Sequence, residues 1–163
     1  MLQCRQKILS LPSSQRRVKQ ILLVNFLLLA FLSSWFSVAP VRAQRVNPNE
    51  VWQQVYKKLP YLPKENHYIS QETGKVAENN TLVSRLIRYH IYVKGRPPNY
   101  RLDWKLTLAD YLDANEVMYE ESYPGNDTLR KNPFAGDRAA IRRLSREQRN
   151  ALVQALVNAF TKK

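Results

Sequence analysis

From Ile21 to Ala39 the chain is almost wholly apolar, and the segment ahead of that run holds Arg5, Lys7, Arg16, Arg17 and Lys19 but no acidic residue. A cationic front, an apolar middle and small residues behind it form the pattern of an export signal. Val41-Arg42-Ala43 sets modest side chains where a signal peptidase inspects them, so cleavage is expected before Gln44. This feature removes residues 1–43 from the folding problem. About 120 residues remain, 44–163, enough for one hydrophobic core and one domain.

Two other readings of the same segment stay open. The 19 residues of the run are just long enough to span a bilayer as an uncleaved anchor. Arg16-Arg17 also fits a twin-arginine signal, although Gln15 and Lys19-Gln20 depart from its usual flanks. In all three readings the excess of positive charge at the front holds the N-terminus in the cytoplasm. The domain behind it is delivered across the membrane: periplasm, thylakoid lumen or outside the cell.

Charge then narrows the partners. Six of the 26 basic residues precede Gln44 and all 13 acidic residues follow it, so the exported part keeps 20 basic residues and a net charge of +7. A basic exported protein meets anionic lipid headgroups, acidic cell-wall polymers or acidic partner proteins before it meets nucleic acid, so no nucleic-acid partner is expected. The only cysteine, Cys4, leaves with the signal, so neither a disulfide nor a thiolate ligand is expected in the domain.

Behind the signal the pattern is helical. Asn47-Pro48-Asn49-Glu50 is a helix start: a capping side chain, proline at the first helical position and a glutamate to complete a capping box. Val51, Trp52, Val55, Tyr56 and Leu59 then share one face until Pro60. Asn80 or Thr81 caps a second run, Leu82 to Lys94, which Gly95-Arg96-Pro97-Pro98 ends. Alternation at Ile87, Tyr89, Ile91 and Val93 competes as a strand, but helical spacing explains more, with Ser84, Arg85, Arg88 and Tyr92 on one narrow polar face. A third helix runs from Leu102 to Asn115, with Asp103, Thr107 and Asp110 as a polar stripe opposite Trp104, Leu108, Tyr111 and Leu112. A short turn of helix follows from Asp137 to Arg143. Ser145 caps the last helix, where Leu152, Ala155, Leu156, Ala159 and Phe160 repeat at helical spacing. The expected fold is all-α, a compact bundle of about four amphipathic helices with long irregular loops at residues 60–80 and 117–136. Pro124-Gly125-Asn126-Asp127 marks a turn in the second loop.

No combination of residues identifies a reaction, a metal site or a cofactor. His90 falls on the apolar face of the second helix without a second imidazole or carboxylate at ligand spacing. His67 lies in a loop. Asp103, Asp110, Asp113 and Glu116 read as partners for Arg85 and Arg88 across the edge between the second and third helices. Glu121-Ser122 matches two residues of a lytic transglycosylase site but lacks the glycine-rich segment that should follow. Glu116, Glu120, Glu121 and Asp127 are acids without the spacing of a calcium loop. Asn79-Asn80-Thr81 and Asn126-Asp127-Thr128 fit the glycosylation acceptor pattern.

The densest basic region is Arg138, Arg142, Arg143, Arg146 and Arg149, with Arg130 and Lys131 upstream. Guanidinium groups grip carboxylate and phosphate in a forked geometry that lysine does not match. These five arginines are the expected partner-binding residues, facing an acidic protein or an anionic membrane.

The stretch Arg85-Leu86-Ile87-Arg88-Tyr89-His90, Arg96-Pro97 and Arg101 through Leu112 (Arg-Leu-Asp-Trp-Lys-Leu-Thr-Leu-Ala-Asp-Tyr-Leu) resembles a group of small exported cyanobacterial proteins of unassigned function. The resemblance implies a location, periplasm or thylakoid lumen, and carries over no site residue. The expected function is that of an exported helical interaction module. A cell-wall glycan hydrolase using Glu120 and Glu121, and a metal- or ligand-carrying protein using His67, His90 and the acidic residues, are the alternatives.

Overall fold

The structure, a computed structural model, describes residues 47–161. The expected export signal and the expected cleavage before Gln44 lie outside these residues.

Among the described residues there are five α-helices and no strand, so the protein is all-α. Helix α1, Pro48–Lys58, starts as its sequence dictates: the Asn47 side chain accepts the Asn49 N–H at 3.1 Å and donates its own amide to Glu50 at 3.0 Å. Val51, Val55 and Tyr56 are buried on its inner face. Helix α2, Leu82–Arg88, is capped by Thr81, whose hydroxyl accepts the Ser84 N–H at 3.2 Å. The competing strand does not form. Instead α2 widens into a π-turn, Tyr89–Val93, closed by the Lys94 N–H donating to the Tyr89 carbonyl at 2.9 Å.

Helix α3, Arg101–Tyr111, buries Trp104, Leu108 and Tyr111 as expected, but Thr107 and Asp110 of its polar stripe are buried too. The stripe does not face water because Arg96, from the Gly-Arg-Pro-Pro link, lies over it. Arg96 Nη1 donates to Thr107 Oγ1 at 2.8 Å and to Asp110 Oδ2 at 2.5 Å, and Nη2 donates to Glu116 at 2.9 Å.

The expected count of about four helices is one short. Where the sequence suggests a brief turn from Asp137 to Arg143, a full helix α4 spans Phe134–Arg143. Gly136 obscures it, since an interior glycine costs a helix about 1 kcal/mol. The Asn132 side chain caps the Phe134 N–H at 3.0 Å, and Tyr68 packs its hydroxyl against Gly136, where an added Cβ would collide with it. Helix α5, Arg146–Thr161, is the longest; it packs on both α1 and α3, while α1 also meets α2 and α3 also meets α4. Leu152, Val153, Leu156 and Ala159 supply its side of one core, shared with Val51, Val55, Leu86, Ile87, Trp104 and Ile141.

The two long loops are ordered by each other. Ser70 bridges Leu129 and Ile69 bridges Val76 as isolated antiparallel pairs. The Gln71 N–H donates to the Thr128 carbonyl, and the Arg130 N–H to the Ile69 carbonyl, both at 2.9 Å. Polar backbone that no helix satisfies is thus paired across 58 residues of sequence, the separation of the Gln71 side chain and the Leu129 carbonyl it reaches at 2.8 Å. Gly125, at φ 101°, makes the turn that Pro124 begins.

Candidate functional site

The arginine-rich region forms the corner between α4 and α5. Ser145 builds that corner: its hydroxyl accepts the Gln148 N–H at 3.1 Å, and the Gln148 side chain accepts the Ser145 N–H at 2.8 Å. This reciprocal capping box starts α5 one residue after α4 is capped at Leu144. Arg138 and Arg142, four apart on α4, therefore lie on one face, and both reach the carboxylate of Asp113.

Asp113 is presented by its own backbone. It follows the end of α3 in the left-handed conformation, φ 57°, with the Ala114 N–H returning to the Ala109 carbonyl at 2.9 Å. Glycine or asparagine is usual at this position of a helix end. Here the Cβ that a glycine lacks carries a carboxylate to two guanidinium groups. Arg143 faces Glu65 at a longer 3.6 Å, and Glu65 also has a positive φ, 44°. Arg149 turns back to the Leu144 carbonyl. Arg146 is exposed. The five expected residues are thus brought to one corner: Arg149 caps a helix, Arg138 and Arg142 share one carboxylate, Arg143 faces Glu65 and Arg146 has no ion pair among the described residues, with Arg142, Arg143 and Arg146 exposed.

Arg85 and Arg88 do not pair with the α3 aspartates. Arg85 is turned inward to α4, where Nε and Nη2 donate to the two carboxylate oxygens of Asp137 at 2.6 and 2.7 Å. Nη2 also reaches the Glu65 carbonyl at 2.7 Å, and Tyr123 donates to Asp137 at 2.6 Å with Tyr111 at 2.8 Å beyond it. Burial pushes the Asp137 carboxyl up while Arg85 and Tyr123 pull it down. Three short bonds to the anion make the ionised pair the state this geometry holds. Burial raises both Tyr111 and Tyr123 well above the usual phenol range, so they remain neutral. Arg85, Asp137, Tyr111 and Tyr123 are all buried, and the ion pair ties α2 to α4.

His90 is a core residue. Its ring stacks on Trp104 at 3.6 Å, Thr107 donates its hydroxyl to Nδ1 at 2.8 Å, and Nε2 donates to the Pro97 carbonyl at 3.3 Å. Arg96 donates to the same Thr107 oxygen, which fixes the hydroxyl proton toward the imidazole. Burial drives the His90 pKa down to about 4, so the ring is neutral. His67 is exposed and stacks on Tyr68 at 4.4 Å. Glu116 is held below the usual carboxylate range by Lys94 and Arg96. Glu120 and Glu121 lie exposed on a short 3-10 turn, Glu120–Ser122.

Comparison with protein families, curated proteins and solved structures finds no match to this chain. Among the described residues no group of three or more His, Cys, Asp and Glu could hold a metal ion, and no helix is long and apolar enough to cross a membrane. Sequence reasoning located the arginines but not Asp113 and Glu65 as their counter-charges. The sequence pattern carries the third helix on to Asn115 and so makes Asp113 an interior position, but α3 ends at Tyr111 and Asp113 lies beyond it in the αL conformation.

Proposed function

We propose that this protein is an exported, non-enzymatic docking module whose α4–α5 corner grips carboxylates on an acidic partner protein. One observation carries the reading. A single carboxylate, Asp113, serves both Arg138 and Arg142, while Arg142, Arg143 and Arg146 remain open to solvent at a rigid, doubly capped corner. Guanidinium donors are left over there, and surplus forked donors on a fixed frame suit a carboxylate-rich surface. The net charge of +7 behind the signal adds long-range attraction. The resemblance to small exported cyanobacterial proteins supports periplasm or thylakoid lumen as the place.

The test is recovery of one defined partner from a native membrane extract at low salt and its loss at high salt. Replacing Arg142, Arg143 and Arg146 together by Gln should abolish that recovery. Unchanged recovery with the triple variant rules out the corner as the docking surface. Flotation with anionic vesicles in place of the partner would reassign it to a lipid face.

A further inference from the structure

Arg88 differs from the other inward-turned arginines. Arg85 is paired with Asp137, Arg96 with Asp110 and Glu116, and Arg138 with Asp113. Arg88 is half-buried and makes no ion pair; Nη2 donates to the Asn80 side chain at 2.7 Å, and Nε is buried without a partner. Every Asp and Glu of the chain lies among the described residues, so no side-chain carboxylate of this protein compensates it at ion-pair distance. Withdrawing a cation from water without a counter-charge is unfavourable. Burial, and then repulsion from Arg85 one turn away, lower its proton affinity, while Asp127 and Asp137 act only from longer range.

The uncompensated group lines a cleft of about 290 Å³ with Asn49, Trp52, Asn79, Asn80 and Ser84. Trp52 also lines a second cleft of about 440 Å³, with Gln53, Lys57 and Lys64. Neither cleft has a carboxylate in its wall. The residue types complement one kind of ligand. An indole offers a flat face to the C–H face of a sugar ring, side-chain amides and a hydroxyl match sugar hydroxyls, and cations on both sides of the lining ask for charge at intervals along the ligand. A lone inorganic anion would use Arg88 and leave the indole and the second cleft idle. An acidic peptide would meet the cations but bring no rigid apolar face to Trp52.

We infer that the two clefts sharing Trp52 form a binding site for an acidic oligosaccharide, with a carboxylate on Arg88 and a sugar ring on Trp52. This site uses none of the α4–α5 arginines, so it stands or falls apart from the docking corner.

The experiment follows the indole N–H resonances of the purified full-length chain by NMR during titration with trigalacturonate. The Trp52 signal should shift saturably. Trp104, whose N–H is held by the Pro98 carbonyl at 2.8 Å in the core, should not. Arg88→Gln should weaken binding by about tenfold or more, the effect of losing one charge-assisted bond, while leaving Tm unchanged or higher. Trp52→Ala, which leaves the cation in place, should weaken it as well. The absence of a saturable Trp52 shift, or full affinity in both variants, overturns the site. Equal binding of neutral maltotriose overturns the role of Arg88, and equal binding of phosphate or triglutamate overturns the saccharide.

Discussion

Arg85 and Asp137, 52 residues apart, form a two-bond ion pair with neither side chain exposed to solvent. Each is tolerable in the core only because the other is there. Breaking a buried pair on one side strands a charge at a cost of about 3–5 kcal/mol. Asp137→Asn is expected to lose that much in urea unfolding. The double variant Arg85→Met with Asp137→Leu should lose much less than the two single changes summed, since no charge is left unpaired.

His90 makes stability depend on pH. The ring is neutral in the fold, with its pKa near 4 against an ordinary 6.5, because burial disfavours the charge. Unfolding restores the ordinary value, so between these limits the unfolded chain binds the extra proton. Stability should therefore fall as pH drops from about 6.5 to about 4, by up to about 3 kcal/mol. Urea midpoints across that range check the slope, and His90→Gln should flatten it. An imidazole titration by NMR with an ordinary midpoint would contradict the neutral ring.

Asp113→Asn separates stability from docking. Asparagine accepts the left-handed backbone that Asp113 occupies, so the end of α3 is preserved. The ion pairs lost are partly exposed and contribute at most about 1 kcal/mol. Arg138 and Arg142 are released, however, and the corner gains one net positive charge. Partner recovery should increase and its salt dependence steepen, measured against the wild type in the same extract.

Gly136→Ala tests how α4 meets the first long loop. Helix propensity alone predicts a gain of about 1 kcal/mol. The added methyl, though, would collide with the Tyr68 hydroxyl, which is tucked against the glycine. The expected result is a net loss of about 1–3 kcal/mol. Combining the change with Tyr68→Phe should return Tm to the wild-type value or above, because the collision goes and the ring under Arg85 stays.

Much of the local architecture is legible in the sequence. The caps at Asn47, Thr81 and Ser145 each act on residues two or three positions away, and all three start helices as the sequence indicates. The apolar spacing of α1, α3 and α5 identified Val51, Val55, Trp104, Leu108, Leu152 and Leu156, all of them buried. Helix α4 was underestimated because Gly136 and a run of arginines conceal its inner face, which holds only Asp137, Ala140 and Ile141. The polar face of α2 was misassigned for a related reason. A buried arginine and an exposed one have the same symbol, and only a facing carboxylate tells them apart.

What the sequence alone determined is what acts over a few residues: helix starts and stops, the apolar stripes, the turn at Pro124-Gly125 and the surplus of arginine near the C-terminus. The tertiary structure decided which charge each arginine keeps. Arg85 received Asp137, Arg96 received Asp110, Arg138 and Arg142 received Asp113, and Arg88 received none. That division follows from physics. A cap or a stripe is set by backbone geometry that repeats every turn, whereas the energy of a charge depends on its distance from solvent and from the opposite charge. Both distances exist only once segments dozens of residues apart have packed together.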